Sequence, residues 1–395
     1  MSGTVLVVNS GSSSIKYQLV DPDTADVVAS GLLERIGEVS GHLRHTTGDG
    51  TTERDLPVPD HTAGLAAVLE AFDELGPVLA DAGIRAVGHR VVQGGAEFSG
   101  PVELDDDAVE RIDALSPLAP LHNPGNVAGI RVARELVPDV PHVAVFDTAF
   151  FADLPAAAAT YALERTTAER YAVKRYGAHG TSHELVSRAV SERLGRDDLR
   201  QIVLHLGNGA SASAVRAGRA VDTSMGLTPL EGLVMGTRTG DIDPAVAFHL
   251  HRVGGLDVAE IDDLFNKRSG LKGMTGHNDM REVRELAGAG DADARLALDV
   301  YAHRLRKYIG AYAAVMGGLD AVTFTAGVGE NDALIRAEVL APLAFLGIEL
   351  DDDANTARSG EPRVISTPGS AVTVLVVPTN EELAIARQTI EVSGA

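Results

Sequence analysis

Val5-Leu6-Val7-Val8-Asn9-Ser10-Gly11-Ser12-Ser13-Ser14-Ile15-Lys16-Tyr17-Gln18-Leu19-Val20 is the stretch that decides the fold. An apolar run enters a Gly/Ser turn and a second strand-like run leaves it, which predicts a strand, a tight turn and a strand. Far downstream, Ile202-Val203-Leu204-His205-Leu206 enters Gly207-Asn208-Gly209-Ala210-Ser211, and residues 212–215 continue. An offset of 198 residues places Val5 on Val203, Gly11 on Gly209 and Ser14 on Ala212. A repeat at half the chain length predicts two similar domains facing each other, not a solenoid, whose periods are about 20–50 residues.

Around these hairpins the chain alternates strand-like and helical periods. Residues 86–92, 142–146, 322–325 and 372–377 read as core strands, and 64–80, 126–136 and the long stretch 292–316 as helices, with another helix starting near His183. The last two strand runs each lead into a Gly- or Asn-containing loop and then a helix. The polar stretch 37–59 predicts an edge hairpin or a loop. The whole is α/β, with a boundary expected just after Asp147.

Composition sets the function classes. The chain has 395 residues, enough for about two domains, with 45% apolar and 23% charged residues and no Cys, so disulfides and thiolate metal sites are impossible. Its N-terminus lacks the basic and apolar segments of a secretion signal, and no uncharged run approaches the roughly 18 residues that span a bilayer. A soluble cytoplasmic protein is expected. A net charge of -22 disfavours nonspecific binding to nucleic acid or anionic membrane. Any anionic ligand must therefore be held by local cations. Lys occurs only at 16, 174, 267, 272 and 307, which singles out Lys16 beside the first turn.

Three Gly-rich segments can aim several backbone N–H groups at one anion: residues 9–14, residues 207–211 and Ala326-Gly327-Val328-Gly329-Glu330-Asn331. One alone is as readily an ordinary turn. Three, two of them related by duplication, favour a nucleotide phosphate tail held between two domains. None fits the P-loop or a complete dinucleotide fingerprint. Arg90 ends a strand in Gly88-His89-Arg90-Val91-Val92, and Arg238 lies in Gly236-Thr237-Arg238-Thr239-Gly240. Guanidinium suits a planar, spread negative charge, although an arbitrary Arg in so acidic a chain more often pairs with a surface acid. Asp147, Asp241, Asp243, Glu381 and Glu382 are candidate Mg²⁺ ligands, of which one or two suffice at a phosphate site; Glu381 and Glu382 equally suit a helix N-terminus. His122 and His179 sit in loops fixed by turn residues. His179 and His183 have the spacing of a zinc pair, but Gly180 interrupts the helix and no third ligand stands out. A Ser182 hydrolase triad is formally available, yet Gly-Thr-Ser-His is not the nucleophile elbow. A donor to a phosphoryl oxygen suits His179 better, with a structural loop histidine as the alternative.

Together these segments resemble the acetate kinase family. The resemblance runs over almost the whole chain: 9–16, 88–92, 119–124, 146–150, 179–183, 205–209, 222–244, 326–331 and 379–382. It implies two ribonuclease-H-like domains of the actin-like ATPase superfamily around a nucleotide cleft. It also implies a homodimer and the reversible transfer of the ATP γ-phosphoryl group to acetate. The domains would comprise residues 1–147 plus 383–395, and 148–382. By resemblance, Arg90 and Arg238 bracket the carboxylate and the moving phosphoryl group, His179 donates to it, and His122 and Asn208 support phosphate positioning. Asn9, Asp147 and Glu381 would organise Mg²⁺, or Mn²⁺ in its place. Nucleotide contacts fall to Ser12, Ser14, Lys16, His205, Gly207, Asn208, Gly209, Asp279, Met280, Arg281, Gly327, Val328, Gly329 and Asn331. Family members commonly carry Phe where this chain has Ala178; the rest of the acyl wall, Val92, Leu121 and Pro229, is present. A missing ring leaves room for propionate unless a neighbour fills the gap, a difference worth at most about 1–3 kcal/mol.

Chemistry constrains Asp147 further. A carboxylic acid of pKa about 4–5 is ionised at pH 7, so its attack on phosphorus needs no general base, and Asp147 is expected to hold Mg²⁺ or orient its neighbours. The competing readings share the fold or a motif. A chaperone- or actin-like clamp calls for an appended partner-binding domain, for which a chain ending at Ala395 leaves no room. A sugar kinase needs a catalytic base and a polar pocket. A hydrolase would work without Mg²⁺.

Overall fold

The structure is a computed structural model that describes residues 3–11, 13–79 and 81–395. Ser12 therefore lies outside the described residues. The chain divides into two units, Met1–Ala152 with Asn380–Ala395, and Asp153–Thr379.

The first unit is built on an eight-stranded sheet: β1 (Thr4–Ser10), β2 (Ser14–Val20), β3 (Val27–Glu34), β4 (Gly41–Thr47), β5 (Gly50–Leu56), β6 (Ile84–Val91), β7 (Val102–Glu103) and β8 (His142–Phe146), in the order β5-β4-β3-β2-β1-β6-β8-β7. The alternation of β1 is buried on both faces. Leu6 and Val8 pack with Tyr17, Leu65, Phe72 and Ala133, the last three from helices His61–Leu75 and Asn123–Leu136. Val5 and Val7 pack with Val143, Val145, Leu383 and Ile385, from β8 and helix Glu381–Ser393. Each fully buried Val, Leu, Ile or Phe side chain among them contributes about 1.5–3 kcal/mol. Two close approaches fix the helices. A Cβ on Gly88 of β6 would lie 2.5 Å from Thr389 Oγ1, and one on Gly129 would lie 2.5 Å from Ser10 Cβ. The polar stretch 37–59 forms the β4–β5 edge hairpin.

The second unit carries a six-stranded sheet: β9 (Arg200–Leu206), β10 (Ala210–Arg216), β11 (Arg219–Thr223), β12 (Ala321–Thr325), β13 (Arg363–Val364) and β14 (Thr373–Val376), in the order β11-β10-β9-β12-β14-β13. Helix Ala292–Met316 buries Leu298, Tyr301, Leu305 and Ile309 with Ile202, Leu204 and the alanines of β10. Helix Gly180–Leu194 buries Val186 and Val190 with Val203 and Leu375. The run β11-β10-β9-β12-β14 repeats β3-β2-β1-β6-β8 with the same parallel and antiparallel senses, so the duplication is one of topology. Its register differs from the expected single offset. Four residues separate the paired Ser10 and Ile15, whereas three separate Leu206 and Ala210, so no ungapped superposition carries both strands.

A second difference concerns Ala326–Asn331, read as a loop before a helix. It is itself a short helix, entered directly from β12 through Ala326 at φ +63°. Among the described residues no helix is long and apolar enough to cross a membrane.

Candidate active site

In the first unit the candidate residues lie where β1, β6 and β8 end. Two asparagines at the start of helix Asn123–Leu136 tie down the ends of β1 and β6. Asn126 accepts from Val92 N at 3.1 Å and donates to Ser10 O at 2.6 Å, while Asn123 accepts from Gln93 N at 3.1 Å and donates to Gln93 O at 3.0 Å. Arg90 leaves β6 on this frame. Its Nε donates to Asp147 Oδ1 at 2.9 Å and its Nη2 to Asp147 Oδ2 at 2.8 Å, a bidentate pair that fixes the guanidinium plane. Glu381 approaches Arg90 Nη1 at 3.7 Å. Burial works against the Arg90 charge, but Asp147, Glu381 and Glu382 more than offset it and hold the pKa above the ordinary arginine value. Asp147 is 1% exposed. Lys16 lies opposite Asn9 across the first hairpin and its ammonium meets Glu382. Ser14 O accepts from Gly11 N at 2.7 Å, closing the turn.

In the second unit three loops meet. His179 caps helix Gly180–Leu194 with left-handed backbone at φ +60°, a conformation unusual outside glycine. Its ring stacks on His205, with centroids 4.3 Å apart. The turn between β9 and β10 is held by Gly207 N to Gly209 O at 3.0 Å, and Gly236 N donates to Asn208 O at 2.8 Å. A Cβ on Gly209 would lie 3.6 Å from both His179 Nε2 and Arg238 Nη1, so these two donors converge on one point beside the turn. Arg238 differs from Arg90 in one respect. Its Nη1 meets only Pro229 O at 3.2 Å and Met235 Sδ at 3.7 Å, and burial lowers its pKa with no carboxylate among the described residues to offset it.

A cavity of about 920 Å³ opens from the same turn, lined by Gly207, Asn208, Gly236, Asn278, Asp279, Met280, Arg281, Gly327, Val328 and Asn331 among others, a size suited to a nucleotide. Asp279 caps helix Met280–Gly288, and Arg281 holds its carboxyl down at about 2. Five arginines line the cavity against three acids, Asp279, Glu330 and Asp332, making it locally positive in an acidic chain.

Several site residues are not evident from the sequence. Arg336, 1% exposed, donates to Gly329 O at 2.8 Å, Glu330 O at 3.0 Å, Asn355 Oδ1 at 2.7 Å and Asn355 O at 2.6 Å, and so pins the 326–331 helix to the segment carrying Asn355. Burial, then the charge of Arg363, pulls its pKa down to about 10. Arg284, Tyr301, Arg358 and Arg363 also line the cavity without having been singled out. Conversely, Gly329 is buried behind the cavity wall and acts through its carbonyl. Of the expected acyl wall, Val92 is half-buried, Leu121 is exposed in the loop before His122, and Ala178 is 2% exposed within the core that contains Ala210 and Met235. His122 precedes helix Asn123–Leu136 as its cap. Among the described residues no three His, Asp or Glu side chains are grouped to cage a metal. Ser182 is fully buried and bonded to His205 Nδ1 and Thr379 Oγ1.

The chain as a whole is similar to known proteins. The sequence model of the acetokinase family matches residues 4–387. An acetate kinase from Leifsonia xyli subsp. xyli is 60% identical over 393 residues, covering 99% of each chain. One from Clavibacter michiganensis subsp. michiganensis is 59% identical over 388 residues, covering 98% of each. Among solved structures, Porphyromonas gingivalis acetate kinase superposes with a TM-score of 0.94 at 43% identity, over 99% of both chains. A propionate kinase from Francisella tularensis subsp. tularensis gives 0.94 at 40% identity, over 99% of this chain and 100% of that one. Likeness of this extent, in sequence and in structure, means that the chain belongs to the acetokinase family and has its duplicated, actin-like ATPase fold.

Proposed function

We propose that this protein catalyses the reversible transfer of the ATP γ-phosphoryl group to the carboxylate of acetate, giving acetyl phosphate and ADP, with propionate as a second acceptor. The observation that carries the reading is Arg238: a partly buried guanidinium with no carboxylate among the described residues to offset it, converging with His179 Nε2 beside a turn that borders a nucleotide-sized, positive cavity. Such an arrangement is stabilised by an incoming anion and is poorly suited to a neutral ligand. Likeness to the acetate kinases and to the propionate kinase supports the choice of acceptors.

The acetate oxygen attacks the γ-phosphorus as the bond to the ADP oxygen breaks, and that oxygen keeps the electron pair. No proton moves, because the acceptor is already ionised at pH 7. Catalysis is then positioning and stabilisation of charge on the equatorial oxygens. Arg238 and His179 donate to those oxygens, and Arg90, held in plane by Asp147, orients the carboxylate. His122 and Asn208 assist in placing phosphate, and the cavity around Asp279, Arg281, Gly327 and Asn331 takes the nucleoside. Glu381 and Asn9 would hold Mg²⁺ in the manner usual for nucleotides, in which one or two carboxylates share the ion with phosphate and water, while Asp147, both of whose oxygens accept from Arg90, acts through that guanidinium. When bound, Mg²⁺ (or Mn²⁺) would neutralise phosphate charge. The reading extends to a homodimer in the cytoplasm, supported by the exposed Phe248, Val253 and Val258; sedimentation at about twice the 41.2 kDa chain mass tests the dimer.

The direct test incubates Mg·ATP with acetate, propionate or butyrate and traps acyl phosphate with hydroxylamine. Hydroxamate from acetate, and to a lesser degree propionate, is expected. ADP release without hydroxamate, equal with and without carboxylate, would sink the proposal in favour of a clamp-like ATPase.

A further inference from the structure

We propose that Ser213, His183 and Ser211 form a one-way hydrogen-bond chain that holds the His179 ring in the tautomer with its proton on Nε2, making all three positioning residues. The consequence for turnover rests on the reading above; the tautomer assignment does not.

The chain arises from two periodicities. Ser211 and Ser213 alternate onto one face of β10, and His179 and His183 stand four residues apart at the start of a helix. Ser211 Oγ lies 2.8 Å from His179 Nδ1 and 2.7 Å from His183 Nε2, and Ser213 Oγ lies 2.8 Å from His183 Nδ1. Ser211, Ser213 and His183 are fully buried, and burial pushes His183 well below the usual histidine range, so that ring carries one proton.

With neutral rings, one direction satisfies every group. Ser213 donates to His183 Nδ1, His183 Nε2–H donates to Ser211 Oγ, and Ser211 donates to His179 Nδ1. The His179 proton is then on Nε2. In the reverse direction His183 donates to Ser213, whose own hydroxyl proton has no other acceptor among the described residues. If Ser211 accepts from both rings, its own proton is the orphan. A buried donor without an acceptor is costly, so the forward direction prevails.

His179 is also fixed in plane by stacking on His205, whose Nδ1 lies 2.8 Å from Ser182 Oγ. Its Nε2, beside Arg238 Nη1 at the Gly209 turn, thus presents N–H to an anionic oxygen. The opposite tautomer would present a lone pair and repel it.

The test uses the full chain labelled with ¹⁵N-histidine and long-range ¹H–¹⁵N correlation at pH 7.5, with the His179 signals assigned by their loss in His179→Gln. Wild type is expected to show Nδ1 unprotonated and Nε2 protonated; a protonated Nδ1 in wild type overturns the proposal. Ser213→Ala removes the proton that starts the chain. It should give His179 signals of mixed tautomers and lower kcat about tenfold while KM for Mg·ATP stays within about twofold, with Ser213→Thr restoring both. Unchanged His179 signals in folded Ser213→Ala also overturn it. Should Ser213→Ala fail to fold, the wild-type spectrum decides alone. Absence of acyl phosphate formation, with the tautomer as assigned, would count against the reaction and not against the chain of bonds.

Discussion

Replacing each site arginine by Met separates two roles that share one side-chain type. Arg90→Met removes the partner of Asp147, a carboxylate 1% exposed that accepts two bonds from that guanidinium. Breaking a buried pair in this way costs about 3–5 kcal/mol. At roughly 2–4 °C per kcal/mol for units of this size, the melting midpoint should fall by about 6–20 °C. Arg238→Met removes one bond to a carbonyl, worth about 1.5–3 kcal/mol, but also relieves a cation that nothing offsets. The relief of desolvation is of similar size, a few kcal/mol, and opposite sign, so stability should change by only about 1 kcal/mol in either direction. Turnover is another matter: an arginine that meets a transferring phosphoryl group contributes about 10³–10⁵ in kcat, which Arg238→Met should lose, whereas Arg90→Met, which misplaces the acceptor carboxylate, should lose about 10²-fold. Thermal melts and hydroxamate formation on the same preparations make the comparison. A midpoint for Arg238→Met as low as that of Arg90→Met, or Arg238→Met turnover within tenfold of wild type, would refute the assignment of Arg238 as an uncompensated cation waiting for its ligand.

Three further outcomes follow from the same geometry. Gly209→Ala puts a methyl at ordinary contact distance, 3.6 Å from His179 Nε2 and Arg238 Nη1, so the melting midpoint should hold while kcat falls by about tenfold or more; circular dichroism melts with steady-state kinetics check both. Asp147→Asn should lose about 10²-fold in kcat through misplacement of Arg90 yet keep the shape of the pH–rate profile between pH 6 and 9, whereas loss of a titrating limb would make Asp147 a base. Arg336→Met frees the carbonyls of Gly329 and Glu330, so KM for Mg·ATP should rise about tenfold with kcat less affected, and isothermal titration with ADP should show the same weakening.

Much of this architecture is legible in the sequence because its signals are local. The apolar runs of β1 and β9 end in Gly/Ser and Gly/Asn turns, and the 3.6-residue period of Ala292–Met316 marks that helix to its ends. Arg90 stands out because it ends a strand without flanking charges. What escapes depends on distant contacts. Arg336 sits in Ala-Leu-Ile-Arg-Ala-Glu-Val-Leu, where an arginine reads as a solvated helix face; only the fold brings Asn355 and the 329–330 carbonyls around it. The left-handed backbone of His179 and Ala326 is equally silent, since neither residue type announces positive φ as glycine does. Ser211 and Ser213 offer a signal that could have been used. Polar residues alternating in a strand otherwise made of small apolar residues, with two histidines at helical spacing elsewhere, imply a buried polar network seeking partners.

The two arginines also show why the duplicated fold does not give duplicated chemistry. Corresponding strands build both units, yet the first surrounds its arginine with Asp147 and Glu381 and the second leaves Arg238 with a carbonyl and a thioether. A paired arginine has little net field left to offer but a well-defined plane, which suits orientation of a planar carboxylate. An unpaired one has poorly compensated charge, which suits stabilisation of negative charge that grows during transfer. In a protein of net charge -22, a partly buried cation that no carboxylate among the described residues offsets opposes folding. Its retention is intelligible when a nucleotide or acyl phosphate supplies the missing charge, and the loss of stability without ligand is then the counterpart of affinity with it.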